Sequence, residues 1–417
     1  MGPFLRPSRL KAASALAVRT PVCVLGAGPH GLAAVLHLKR ADPELAAKTV
    51  VVDQSGRWMA TWDSQFARLG IDVLRSPSVH HPSPDVGALS SFVTQHGFAR
   101  SGLPYDPPVA KAFSAFVQHL IKQAKLPNPL AVRPNRVTAE ADGTGVRIET
   151  FGPQIVADRL VVAANPRHKL IPSWAQHLQG SAENAGQNQA QANRQGEIAH
   201  SDDVNLGALS DLAGQRIVVV GGGLTAVHLA TGAAGRGATV DLIARRELQV
   251  RSFDTDPGWL GPKYLSEFEA CTNPQQRFEL AKQARGGGTI PQWMHEQLSQ
   301  SRVTVHEATQ VLEATSVPDG YCLGLTSGES IRANRVWLAT GTTPHLGSLQ
   351  CCEPLLPNIT TIGGLPVTDD HLRVGACPVH VMGRLATHTL GPAAGNLWGA
   401  RHAARRIAQA IAGIAVE

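Results

Sequence analysis

Cysteine is scarce in this 417-residue chain and poorly placed for redox work. Its six cysteines (Cys23, Cys271, Cys322, Cys351, Cys352 and Cys377) include no C-x-x-C pair. Disulfide reduction beside a flavin needs such a spaced dithiol, and the vicinal Cys351–Cys352 would close only a strained ring. That chemistry is therefore set aside. Aromatic residues are only 5% of the chain and form no RNA-binding pattern. Of the net charge of +6, four charges (Arg6, Arg9, Lys11, Arg19) lie in the first twenty residues, leaving +2 for the body. A nucleic-acid surface would need more. No window approaches the roughly 18 apolar residues of a membrane helix. The acid-free start lacks the apolar core of a secretion signal. It reads as a bacterial extension or a transit peptide, and a cytoplasmic protein is expected. His80 and His81 are adjacent and have no acid at ligand spacing, so no metal site is expected.

Glycine, by contrast, is abundant at 41 residues. Its placement carries the sequence. Val22-Cys23-Val24-Leu25 runs into Gly26-Ala27-Gly28-Pro29-His30-Gly31, followed by Leu32-Ala33-Ala34-Val35-Leu36-His37-Leu38. This is a buried strand, a tight turn and a helix whose first N–H groups point outward. Gly26 permits the turn, Gly28 leaves room for a pyrophosphate, and Gly31 lets helix and strand pack closely. Thr49-Val50-Val51-Val52-Asp53 is the next strand, and its terminal acid suits an adenosine ribose.

The theme returns. Arg216-Ile217-Val218-Val219-Val220 leads into Gly221-Gly222-Gly223-Leu224-Thr225-Ala226, and Thr239-Val240-Asp241-Leu242-Ile243-Ala244 ends on Arg245 and Arg246. Each unit continues into a β-meander: residues 136–162 after the first, and 310–341 after the second, closing on Thr340-Gly341. A repeated order of parts points to two dinucleotide-binding units. Asp53 suits the free ribose of FAD, whereas Arg245 and Arg246 suit the 2′-phosphate of NADPH or are a solvated surface pair.

The expected fold is α/β, with two Rossmann-like domains of the two-dinucleotide-binding flavoprotein type. Residues 1–19 read as a tail. The FAD-binding domain is expected from 20–170 plus 336–417, and the NADPH-binding domain from 213–335. A linker at 171–212 carries a Gly/Gln/Asn/Ala-rich insertion. Residues 58–105 read as loop-rich and as a pocket wall, and Val109–Ala124 as an amphipathic helix. Near the C-terminus, Gly383 sits in a turn, and Gly391-Pro392-Ala393-Ala394-Gly395-Asn396 precedes a long helix. The helix N-terminus would stabilise the anion of a reduced flavin.

These two glycine turns, the Ala339-Thr340-Gly341 close and His200-Ser201 resemble the class B flavoprotein monooxygenases, most of all their lysine and ornithine N-hydroxylase group. The resemblance spans roughly residues 20–412. Of the fingerprint F-x-G-x-x-x-H-x-x-x-Y/F only Gly196 and His200 remain, with Arg194 and Val204 at the aromatic positions. Thr342 stands where Tyr is frequent, and Arg384 where many two-dinucleotide flavoproteins carry Asp.

The resemblance implies hydride transfer from NADPH to FAD, NADP+ retained through contacts that include His200 and Ser201, and O2 captured as a flavin C4a-hydroperoxide. One oxygen then passes to a nucleophilic N or S of a small molecule. His200-Ser201 reads equally as an interdomain loop. No catalytic acid or base is identified by spacing, and the oligomeric state is left open. An NADPH-dependent reductase or oxidase serving a quinone or protein, and a flavin redox sensor without turnover, fit the same cofactors.

Overall fold

The computed structural model describes residues 17–140, 143–179 and 197–414. Arg194, Gly196 and nearly all of the expected insertion lie outside the described residues, as does most of the basic tail.

Strand β1 (Val18–Leu25) lies between β2 (Val50–Val52) and β5 (Ile155–Val162), all parallel. The other edge of β5 is shared. Its first half pairs antiparallel with β4 (Val146–Thr150), which pairs with β3 (Pro134–Ala139). Its second half pairs in parallel with Val379–Val381, from the far end of the chain. Helix α1 (Pro29–Ala41) is buried at every position from Gly31 to Leu38. A helix apolar all round needs cover on both faces. The sheet supplies one face, and the terminal helix Leu397–Ile411 supplies the other.

The second sheet is wholly parallel, in the order Val303–His306, Thr239–Ile243, Arg216–Val220, Arg335–Leu338, Glu197–His200. Its strands read as near-continuous apolar runs because both faces are covered. Two boundaries differ from the sequence reading. Glu197–His200, expected in the linker, is the edge strand of this sheet, and Val336–Leu338, expected in the first domain, continues Arg335 as a strand of this one. The strand expected from Ile331 onward also divides at Asn334. Ser330–Ala333 joins an antiparallel meander, and Arg335–Leu338 joins the parallel sheet. Asn334 makes the corner: its N–H donates to Arg216 O, its Oδ1 accepts the Arg216 N–H, and its Nδ2 donates to Asp319 O.

Chain passes between the units along a short antiparallel ribbon of Arg167–Lys169 and Thr342–Pro344. The 58–105 region is more regular than expected, with helices Ala60–Leu69 and Ala88–Gln95. Trp62 stacks on Phe66 one turn later, with ring centroids 4.6 Å apart, and both pack on the core. This i,i+4 pair supports a helix that loop-like composition concealed. Ala110–Gln123 forms the amphipathic helix close to its expected limits. Among the described residues there is no metal-binding cluster, and no helix is long and apolar enough to cross a membrane.

His80 and His81 are buried, and His81 Nε2 lies 3.0 Å from Val86 O with its ring edge-on to Phe116. Burial lowers the pKa of His30, His80, His81 and His402 from 6.5 to about 4. Such groups are neutral when folded and protonate in the unfolded chain below its ordinary value. Their stabilising effect is thus complete above pH 6.5 and is lost as pH falls toward 4. The urea midpoint should therefore decrease steadily from pH 7 to pH 4.5, and His81→Gln should flatten that slope. An unchanged slope in the variant would show that His81 titrates normally.

Candidate functional site

At the first turn, three elements meet closer than side chains allow. A Cβ built on Gly31 would lie 1.9 Å from Gly26 O, and one on Gly26 would press on the Ala163–Ala164 backbone at 3.1 Å. A Cβ on Gly28, by contrast, would meet nothing within 4 Å. The turn therefore needs glycine at 26 and 31 for its own packing, and leaves open space at 28. Pro29 occupies the first position of α1, where no N–H is needed, and Gly28 is its N-cap.

Asp53 follows β2 and is brought onto this turn. Its Oδ2 accepts the Ala27 N–H at 3.0 Å, while Oδ1 accepts the Ser55 N–H and hydroxyl at 2.9 and 2.6 Å. The carboxylate is thus fixed beside the open space at Gly28.

Gly383 and the 391–396 turn close the same site from the C-terminal side. A Cβ on Gly383 would lie 3.4 Å from His30 Nε2, and that nitrogen donates to Ala394 O at 3.4 Å. Asn396 caps the terminal helix by accepting the Gly399 N–H at 2.9 Å. Pro392 O accepts from Arg285 Nη1 of the second unit at 3.4 Å. Arg384 lies beneath Gly395 and donates to Thr342 O at 3.2 Å. Burial, reinforced by Arg285 and Arg167, lowers its pKa to about 10.

The second turn repeats two backbone bonds of the first. Gly26 N–H donates to Val52 O and Gly221 N–H to Ile243 O, at 2.8 and 2.9 Å; Ala163 N–H donates to Leu25 O and Ala339 N–H to Val220 O, both at 2.9 Å. Gly221 faces Ala339 O, 2.4 Å from its hypothetical Cβ, and Ala226, buried, takes the place of Gly31. Gly223 is the N-cap of helix Leu224–Ala234, with Leu224 and Thr225 in its first turn. The residue matching Asp53 is Ala244, buried, so the carboxylate of the first turn has no counterpart at this position. Arg245 and Arg246 follow it, both exposed.

His200, Ser201, Thr340 and Gly341 come together where the units join. Gly341 O accepts from the Leu170 N–H at 3.0 Å and from His200 Nε2 at 3.1 Å. The other ring nitrogen of His200 accepts the Asp202 N–H at 3.1 Å. Both nitrogens are spent on the protein, and burial lowers the imidazole pKa. Thr340 Oγ1 donates to Leu170 O, and the Ser201 N–H donates to Leu338 O at 3.0 Å. This segment fastens one unit to the other.

Sequence reasoning missed Arg75, which reaches from the first unit to Ser252 O, Arg251 O, Thr289 O and Thr289 Oγ1 at 2.8–3.2 Å. It also passed over Gly286-Gly287-Gly288, the loop Arg75 holds, although three consecutive glycines were a visible signal.

Residues 20–258 match the family model described as pyridine nucleotide-disulphide oxidoreductase. The ornithine hydroxylase of Pseudomonas aeruginosa in its reduced form is similar in fold, with TM-score 0.74 and 18% identity, covering 95% of this chain and 99% of that one. So is the Kutzneria sp. 744 ornithine N-hydroxylase with reduced FAD, NADP+ and L-ornithine, at TM-score 0.75 and 14% identity over 94% and 99% of the two chains. A flavin-containing monooxygenase from Stenotrophomonas maltophilia follows at TM-score 0.62 and 18% identity, covering 95% and 98%. At such identities the likeness carries the fold. The family description includes the disulphide chemistry that the missing dithiol had set aside. Here all six cysteines are free, and the Sγ atoms of Cys351 and Cys352, both buried, lie 4.0 Å apart in the stretch Gln350–Asn358.

Gly28 and Gly31 can be separated by experiment. Gly31→Ala should destabilise the ligand-free protein by about 1–3 kcal/mol, because backbone must move. Gly28→Val should leave its urea midpoint in place and abolish retention of a dinucleotide through purification. Loss of folding in Gly28→Val would mean that the space is not a ligand site.

Proposed function

Since the chain belongs to the pyridine nucleotide-disulphide oxidoreductase family, we propose that it binds FAD on the first turn and NADPH on the second, and uses O2 to hydroxylate a nucleophilic N or S of a small molecule. The single observation that carries the cofactor assignment is the contrast between the two strand ends. Asp53 is locked onto the first turn, ready to accept ribose hydroxyls. At the second, Ala244 removes the carboxylate that would repel a 2′-phosphate, and Arg245 and Arg246 follow.

The residues at the first turn fit a dinucleotide as they stand; at the second, Gly288 Cα lies 3.2 Å from where a Cβ on Gly223 would sit, so a pyrophosphate enters only when that loop stands aside. The space at Gly28 can take a pyrophosphate against the N-terminus of α1, and helix Leu224–Ala234 offers the same partial positive charge. When bound, the flavin supplies hydride acceptance and oxygen activation. The chain's own residues do the positioning. Gly383, Pro392 and Asn396 shape the far wall of the first site, with His30 neutral against Ala394 O. The N-terminus of the terminal helix, capped by Asn396, stabilises negative charge on a reduced ring system. His200, Ser201, Thr340 and Gly341 hold the two sites in fixed relation. Oxygenation of a small amine or sulfide is supported by the likeness to ornithine N-hydroxylases and a flavin-containing monooxygenase.

The test is a balance of electrons. Purified protein with NADPH, O2 and a panel of amines and sulfides should form hydroxylated product in proportion to NADPH consumed. Peroxide equal to NADPH with every compound would instead establish an oxidase, and consumption only with added quinone a reductase. Arg245→Ala combined with Arg246→Ala should raise KM for NADPH about ten- to a hundredfold. Equal use of NADH and NADPH by the unaltered protein would reject the second-site assignment.

A further inference from the structure

The second turn is covered where the first is open. A Cβ added to Gly28 would meet nothing within 4 Å, whereas one on Gly223 would lie 3.2 Å from Gly288 Cα. One on Gly288 would lie 2.7 Å from Gly223 Cα and 3.0 Å from its nitrogen. Gly288 thus occupies the ground that a pyrophosphate would take on Gly223. It belongs to Gly286-Gly287-Gly288, between helix Pro274–Arg285 and strand Thr289–Ile290.

This cover is one residue thick and lightly held. Gly288 is exposed, so solvent lies on one side of it and the turn on the other. Among the described residues, Gly287 and Gly288 make no hydrogen bond. The ends of the loop, by contrast, are fastened. Arg285 donates to Pro392 O at 3.4 Å, and Thr289 Oγ1 accepts from Arg75 Nη2 at 2.8 Å. Thr289–Ile290 also pairs in parallel with Gln249–Val250. Movement is therefore confined to three residues without side chains, whose backbone takes many conformations at little cost.

We propose that Gly286–Gly288 is a lid on the second site, closed in the ligand-free protein and lifted by the incoming dinucleotide. This rests on the NADPH reading above and goes beyond it: a closed state of the chain competes with the cofactor and sets part of its affinity. Only the open fraction binds, and apparent affinity falls by that fraction. Whatever keeps Gly288 from seating should raise it. A methyl at 288 does so, because it would meet the Gly223 backbone rather than a flexible side chain. A methyl at 223 makes the same clash from below but stays in the path of the pyrophosphate. Two substitutions at one contact thus act in opposite directions on a lid, whereas both would weaken binding at a fixed wall.

The experiment uses the full chain saturated with FAD and titrates NADP+ by calorimetry. The control is 2′-AMP, which carries the 2′-phosphate and no pyrophosphate. Gly288→Ala should tighten NADP+ binding about tenfold, the factor expected of a lid closed about nine-tenths of the time. Gly223→Ala should weaken it about tenfold or more. Binding of 2′-AMP should be unchanged in both, as should the urea midpoint of Gly288→Ala. Arg75→Ala, which unfastens one end of the lid, should also tighten NADP+ binding. Combined with Gly288→Ala it should add nothing, since an open lid cannot open further. Unchanged or weaker NADP+ binding by folded Gly288→Ala would overturn the lid, as would equal tightening of 2′-AMP. Should Gly288→Ala fail to fold, Arg75→Ala decides, and unchanged or weaker binding there overturns the lid. Failure of both the unaltered protein and Gly288→Ala to bind NADP+ would instead overturn the second turn as a dinucleotide site.

Discussion

Backbone approach closer than a methyl group permits is the constraint on which this molecule depends. At Gly26 the turn lies against Ala163–Ala164, at Gly31 the helix lies against Gly26 O, and at Gly221 the second turn lies against Ala339 O. Each contact forces helix, turn and neighbouring strand into a single arrangement, and the helix N-terminus is thereby aimed at one point in space. Overpacking such a contact costs about 1–3 kcal/mol and moves backbone rather than side chains. Geometry of both turns is therefore fixed before any ligand arrives.

A second constraint links the sites. Gly341 O takes two donors, one from the ribbon at Leu170 and one from His200 at the sheet edge. Arg384 grips Thr342 O a residue later, and Arg285 reaches Pro392 O across the same seam. Arg68 adds three bonds to the carbonyls of Ser201, Asp202 and Val204. The acceptors named are backbone carbonyls, and all but Thr342 O lie in turns and loops beside the strands.

What was legible in the sequence was local. The turns announce themselves because Gly26, Gly28 and Gly31 lie within six residues, and the repeat is visible because a strand, turn and helix recur in order. Residues matched by distant partners were not legible. Arg75 bonds to carbonyls 176 residues or more away, and nothing near it marks that role. Glu197–His200 is a strand only because Arg335–Leu338 lies beside it. The break at Asn334 depends on a side chain bridging Arg216 and Asp319, which no periodicity reports. Reading Arg245 as the partner of Asp53 missed the register, since Ala244 holds that position. Helix Ala60–Leu69 was masked by the prolines that follow it, though Trp62 and Phe66 carried its spacing.

The strand Val379–Val381 has a consequence for how the molecule is made. It pairs along β5, a neighbour more than two hundred residues earlier in the chain. Every strand of the second sheet, by contrast, lies between Glu197 and Leu338. A ribosome delivers the N-terminus first, and domains assemble as their parts emerge. The later unit therefore completes its sheet while the earlier one still has an open edge, and the first glycine turn is the last to be walled in. Order of translation and order of completion run opposite ways.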